Sequence, residues 1–267
     1  MEAIINIFKG ALIGGANVIP GVSGGTMAVL MGIYDKLIYS VTGLFKDFKN
    51  SFKFLFQLGI GAVLGIGAFV FIIPFLLTNV PQQTNFFFIG LVLGAGPMLY
   101  KKAKEKEIKT LNMVWFAVAL IIVVIMGVMR EPSSAGSTPS MVMFFISGFI
   151  AAATMILPGV SGSFMLLLLG MYQPILEGVK AFDMMIIMPV GIGVVVGFVT
   201  MTKAIEVLFK KFPQTAYCVI LGLVLGSVVG IYNEIPGGFT FNLAGVVSIL
   251  TFGIGLAISL YMGAKES

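Results

Sequence analysis

The chain has 267 residues, of which 58% are hydrophobic and 10% charged, with no histidine and a mean hydropathy of +1.08. Soluble domains carry about 25% charged residues, so this composition excludes an ordinary soluble protein and indicates an integral membrane protein. The formal charge of +5 comes from lysines in short loops rather than one basic face, which leaves nucleic-acid binding without support.

In chain order, the first apolar stretch, about 10–35, is interrupted by "IPGVSGGT" at 19–26. The interruption and the lack of a small-residue cleavage site argue against a cleavable signal peptide. Next, "KLIYSVTGLFKDFKNSFKFLF" places Phe45, Phe48 and Phe52 at helical spacing, with Lys46, Lys49 and Lys53 one position on. That pattern predicts an amphipathic helix lying on an anionic leaflet. Apolar runs near 57–77, 86–100 and 112–129 read as membrane spans, the second extending into its flanks. An external linker at 130–141 leads to a second interrupted stretch, about 142–172, that carries "LPGVSGSF" at 157–164. Three further spans are predicted near 186–202, 214–232 and 242–262. The single Cys218 cannot form an internal disulfide.

The sequence repeats itself. A shift of 138 superimposes Pro20, Gly21, Val22, Ser23, Gly24, Met27, Leu30, Gly32 and Tyr34 on Pro158, Gly159, Val160, Ser161, Gly162, Met165, Leu168, Gly170 and Tyr172. A shift of 132 matches "GIG" at 59–61 with 191–193 and "GLVLG" at 90–94 with 222–226. Lys and Arg favour cytoplasmic loops, and placing 14 of the 16 basic residues inside leaves only Arg130 and Lys180 outside. Each interrupted stretch then enters and leaves by one face, the first from inside and the second from outside. The expected fold is therefore an all-α inverted repeat, 1–129 and 142–267, each half a re-entrant helical hairpin plus three transmembrane helices. A proline-kinked spanning helix over 10–35 is the competing reading.

Pro20 and Gly21, with Pro158 and Gly159, should end one half-helix and start another, and such breaks must line a wet cavity or be buried in protein. The half-helix that follows offers backbone N–H groups and hydroxyls from Ser23, Gly24, Gly25 and Thr26, and from Ser161, Gly162 and Ser163. That chemistry suits an anion, above all a phosphate. Tight helix packing would use the same small residues, and it is the expected role of "GIGAVLGIG" at 59–67. Asp35, Glu177 and Glu206 are candidate proton carriers, and Lys203 a candidate counter-charge or a lysine reaching the interface. Arg130 suits bidentate phosphate contact but reads as an external flank beside Glu131. Asn17, Tyr34, Tyr172 and Gln173 are candidate polar contacts. No carboxylate cluster has metal-ligand spacing, so neither a metal nor another cofactor is expected, nor is enzymatic activity such as a lipid phosphatase.

The strings "GANVIPGVSGGTMAVLMGIYDKLI", "LPGVSGSFMLLLLGMYQPIL" and "GLVLGS" resemble the bacterial polyprenyl-phosphate transporters, over nearly the whole chain. The resemblance implies a multi-pass protein of the bacterial cytoplasmic membrane, and the loop charges, with Lys9 and Lys265 inside, make both termini cytoplasmic. It also implies a flippase that returns undecaprenyl phosphate, the carrier lipid of cell-wall synthesis, from the outer to the inner leaflet. The second copy departs from the first at Ser163 and Phe164, where the first has Gly25 and Thr26. A phosphate monoester carries about −1.5 to −2 charges, so its headgroup needs a polar route while the prenyl tail stays in lipid. Inward movement opposes the membrane potential by roughly 3.5 to 4.6 kcal/mol per 100 mV, which coupling to protons or another cation would offset. A transporter or channel for a small soluble anion is the alternative that uses the same half-helix ends.

Overall fold

The structure, a computed structural model, describes residues 2–19, 22–44, 46–105, 109–129 and 139–266. The predicted break at Pro20 and Gly21 lies outside these residues, as do Phe45, Lys106, Arg130 and Glu131. The described residues form helices α1 (Glu2–Ala16), α2 (Gly24–Leu30), α3 (Tyr34–Thr42), α4 (Phe48–Asn79), α5 (Pro81–Gly94), α6 (Gly96–Ala103) and α7 (Thr110–Val128). They continue with α8 (Met141–Ile156), α9 (Gly162–Leu168), α10 (Tyr172–Lys180), α11 (Met184–Lys211), α12 (Pro213–Asn233) and α13 (Leu243–Glu266).

Among the described residues, six stretches are long and apolar enough to cross a bilayer: Phe48–Asn79, Pro81–Ala103, Thr110–Val128, Met184–Lys211, Pro213–Asn233 and Leu243–Ala264. This is a multi-pass, all-helical membrane protein. The spans fall on the six predicted apolar runs, and the second takes in residues on both sides of its short run, as expected.

The predicted amphipathic helix over 36–56 is corrected. α3 stops at Thr42, and Asp47 caps a new helix by accepting from the Asn50 N–H at 3.5 Å, so Phe48 and Phe52 belong to the first turns of the long α4. Phe48, Phe52 and Phe56 stack at centroid distances of 5.2 and 5.6 Å and stand exposed along that helix.

Two backbone turns recur at the spacings of the sequence repeat. Gly32 and Gly170, 138 apart, turn the chain at φ +65° and +66°, a region that glycine reaches without steric cost. Val80 and Phe212, 132 apart, share φ/ψ of −139°/55° and −138°/58°, and each precedes a proline whose fixed φ starts the next helix.

Helix directions follow from close approaches at glycines. A Cβ on Gly10 would lie 2.2 Å from Leu58 O and one on Gly14 2.1 Å from Ala62 O, so α1 runs parallel to α4. By the same measure Gly193 and Gly197 approach Phe145 O and Phe149 O, which makes α8 parallel to α11. Gly222 and Gly226 approach Phe116 O and Leu120 O, and Gly90 and Gly94 approach Phe252 O and Leu256 O, so α12 parallels α7 and α5 parallels α13. After α1 the chain returns through α2 and α3 to the end where it started: Lys36 of α3 pairs with Glu2 at 3.5 Å, and Lys9 Nζ donates to Met31 O at 3.0 Å. At the same end Lys210 of α11 lies over the Tyr39 ring, so the finish of α11 meets α3. Gly178 of α10 instead packs on Ile186, at the opposite end of α11.

These seams need small residues spaced by four. On α4, a Cβ added to Gly61 or Gly65 would lie 2.0 Å from α1 backbone, whereas one added to Gly59 or Gly67 would have nothing within 4 Å. Gly61→Val or Gly65→Val is therefore expected to destabilise the protein by about 1–3 kcal/mol each through overpacking. Gly59→Ala and Gly67→Ala should leave the thermal unfolding midpoint in detergent unchanged or raised.

Candidate functional site

The two broken stretches meet in the interior. Ser23 caps α2, its Oγ accepting from Thr26 N at 3.1 Å, and the two hydroxyl oxygens lie 3.0 Å apart. Across the repeat, Gly159 N donates to Thr26 Oγ1 at 2.7 Å and to Ser23 Oγ at 3.2 Å, while Tyr34 OH donates to Ile156 O at 3.2 Å. Gly25 lies against the same strip: a Cβ there would be 2.8 Å from Ile156 O. Asn17 Oδ1 accepts from Gly24 N at 3.3 Å and ties the end of α1 to the start of α2. Ser23 and Thr26 are buried, so in this conformation the hydroxyls of the first tip face the second tip rather than a ligand.

That arrangement carries a stability prediction. Ser23→Ala/Thr26→Val removes both acceptors of a buried N–H, which is expected to cost about 1–3 kcal/mol, seen as a lower unfolding midpoint. Thr26→Ser, which keeps an acceptor, should restore most of the loss relative to Thr26→Val.

The second tip is open. Ser161 and Ser163 hold their Oγ atoms 2.9 Å apart, Ser163 is exposed, and Ser161 lines a cavity of about 570 Å³ with Gly159, Val160 and Phe164. The other walls come from the ends of α7 (Val123, Met126 to Met129) and α12 (Ser227, Gly230, Asn233, Glu234). Asn233 Nδ2 donates to Gly127 O at 2.8 Å and so joins those two helix ends. Val128 and Met129, which line the cavity, are 61% and 53% exposed, so its rim reaches the outer surface of the helix bundle. Because α9 has only seven residues, its dipole is weak, and hydroxyls with backbone N–H groups dominate the local chemistry.

The lysine-rich end is closed. Asp35 accepts from Tyr217 OH at 2.5 Å and from Lys102 Nζ at 3.3 Å, joining α3, α6 and α12. Phe209 packs edge-on against both Tyr34 and Tyr217. Glu206 is buried and accepts from Lys203 at 2.5 Å and from Lys210. Lys203 thus engages a carboxylate on its own helix and does not reach toward a tip. Glu177 and Gln173 are exposed on α10 beside the half-buried Tyr172.

A sequence profile described as undecaprenyl phosphate translocase-like matches residues 13–235. The chain belongs to that family. It is 35% identical to a polyprenyl-phosphate transporter of Staphylococcus aureus, over 97% of this chain and 95% of the relative. It is also 31% identical to a polyprenyl-phosphate transporter of Vibrio cholerae, over 87% of this chain and 78% of that one. No solved structure matches it. In this translocase-like chain, the predicted residues Ser23, Gly25, Thr26 and Tyr34 gather on the strip from Ile156 to Gly159, Gly24 turns to Asn17, and Ser161 stands apart at the cavity with Ser163 beside it. Sequence reasoning missed Lys102 and Tyr217 as partners of Asp35, and Ser227 and Asn233 as cavity wall. Ser227 ends the "GLVLGS" string, the one local signal that pointed toward that wall.

Proposed function

We propose that the protein moves undecaprenyl phosphate across the bacterial cytoplasmic membrane, from outer to inner leaflet, by alternating access between the two broken tips. The observation that carries this reading is the asymmetry of the ends: an open cavity terminates on Ser161, whose Oγ lies 2.9 Å from Ser163 Oγ, while Asp35, Lys102 and Tyr217 seal the lysine-rich end. Assigning the lysine-rich end to the cytoplasm makes this an outward-facing conformation. The parallel packing of α1 on α4 and of α8 on α11 supports two re-entrant hairpins of opposite orientation, as does the return of each hairpin to its own end of the bundle. The names of the two relatives support the substrate class.

The cavity has the volume of a headgroup pocket, not of a prenyl chain. The phosphate meets Ser161, Ser163 and neighbouring backbone N–H groups, and the tail leaves over the apolar rim at Val128 and Met129. Closing the outer end and parting Asp35 from Lys102 then transfers the headgroup to the first tip, where Ser23 and Thr26 exchange Gly159 for phosphate. Movement against the potential is met by coupling to protons or another cation.

The test is binding of undecaprenyl phosphate to purified protein, with inorganic phosphate and a neutral polyprenol as competitors. Ser161→Ala/Ser163→Ala should weaken binding at least tenfold, and neither competitor should displace the lipid efficiently. Equal binding of inorganic phosphate would favour a small-anion transporter, and indifference to the serines would leave the second tip as packing.

A further inference from the structure

The lysine-rich end holds a second cavity, of about 280 Å³, where α1, α3 and α4 meet away from both tips. Glu2 and Asn6 line it from α1, Lys36 from α3, and Asn50, Lys53 and Gln57 from α4, with Phe54 as an aromatic wall. Asn6 is 6% exposed and donates its Nδ2 to the half-buried Gln57 Oε1 at 2.7 Å, which fixes both amides in place. Lys36 Nζ stands 4.5 Å above the Phe54 ring and 3.5 Å from the Glu2 carboxylate. Two lysines against one carboxylate leave the cavity positive.

We propose that this cavity binds the headgroup of an anionic glycerophospholipid of the leaflet on the lysine-rich side. The phosphodiester lies between Lys36 and Lys53, glycerol hydroxyls meet the amides of Asn50 and Gln57, and the acyl chains extend into the bilayer alongside the first turns of α4. Basic pockets between helices on the cytoplasmic side suit such headgroups. The volume lies near the lower limit of small-ligand pockets, which admits a headgroup and excludes its chains. The cavity sits at the start of the membrane span Phe48–Asn79, where the anion held at high local concentration is a lipid headgroup rather than a free phosphate. Because α1 and α3 belong to the first hairpin and α4 is the helix it packs on, a bound headgroup clamps that hairpin to its support. The site is independent of the substrate reading, whose route through the two tips and the Asp35–Lys102 seal uses none of the residues that line this cavity.

Native mass spectrometry of the purified full chain tests this with phosphatidylglycerol, phosphatidylcholine, inorganic phosphate and undecaprenyl phosphate. Phosphatidylglycerol should be retained at least fivefold more than phosphatidylcholine. Lys36→Gln/Lys53→Gln should abolish that preference, whereas Lys104→Gln/Lys109→Gln, at the same end but outside the cavity, should preserve it. Lys53→Gln alone leaves the Glu2–Lys36 pair intact and should lower retention at least twofold at an unchanged unfolding midpoint. The proposal is overturned by equal retention of the two phospholipids, or by a preference that survives the cavity double variant. Displacement of phosphatidylglycerol by inorganic phosphate or undecaprenyl phosphate at equal concentration would overturn it too.

Discussion

Gly159→Ala is expected to abolish ligand binding and to lower the unfolding midpoint more than any other single alanine placed at a tip. Two costs coincide at this position. Gly159 has φ +82°, where an alanine pays roughly 1–2 kcal/mol for the left-handed conformation. Its Cβ would also sit 2.3 Å from Leu223 O and 2.7 Å from Leu223 C, backbone atoms of α12 that cannot rotate aside, which adds about 1–3 kcal/mol of overpacking. The sum, about 2–5 kcal/mol, is a large share of the 5–15 kcal/mol typical of a folded domain. Any shift that relieves the overlap moves the Gly159 N–H away from Thr26 and widens the wall below Ser161, so binding fails along with stability. Gly170 isolates the backbone part of the argument, since its φ is +66° but a Cβ there has nothing within 4 Å. Gly170→Ala should cost only the roughly 1–2 kcal/mol of conformation and retain binding. Thermal unfolding and undecaprenyl phosphate titration of the two variants check this, and equal behaviour would refute the packing role of Gly159.

The spans and the breaks were legible because the bilayer leaves a chain few choices. About 20 apolar residues must be helical to cross it, and a Pro-Gly pair within such a run must be accommodated by other protein. The contact between the tips was not legible, since the hydroxyls that bind Gly159 N lie 136 and 133 residues away from it. The residue types that cradle a phosphate also satisfy an orphan amide, and only three-dimensional placement separates the uses. The amphipathic helix was misread because phenylalanine and lysine periodicity outweighed Gly43 and Asp47, a turn and a cap four residues apart. The closed end was hidden for the same reason as the tips: Asp35 finds Lys102 and Tyr217 at separations of 67 and 182 residues. The repeat does explain why one end alone is sealed by that ion pair. Adding 138 to 35 gives Gln173, and adding 132 to 102 gives Glu234, so the second copy replaces a carboxylate and an ammonium with an amide and a carboxylate. Those two groups cannot reproduce an ion pair, and Glu234 instead lines the open cavity.

Asp35→Asn should therefore open the lysine-rich end. The Asp35 and Lys102 side chains are 29% and 25% exposed, shielded enough for the charge to count. An asparagine keeps a hydrogen bond to Tyr217 OH but leaves the Lys102 ammonium without its counter-charge at a partly dry junction. Hydrogen bonds to charged groups contribute about 1.5–3 kcal/mol, which corresponds to a shift of roughly 10- to 150-fold in the closed-to-open ratio. Val29, 3% exposed and facing the sealed junction, is a place to read that shift. In a Cys218→Ser background, Val29→Cys should react slowly with a water-soluble maleimide when Asp35 is present and at least tenfold faster in Asp35→Asn. The same change should slow transport, because a carrier that rests open to the lysine-rich side spends less time presenting Ser161 and Ser163 to the other. Lys102→Gln tests the pair from its partner: the double variant Asp35→Asn/Lys102→Gln should react no faster than Asp35→Asn alone, since one interaction is lost only once. Additive acceleration would mean that the two residues act separately and that the seal lies elsewhere in the Tyr34, Phe209 and Tyr217 cluster.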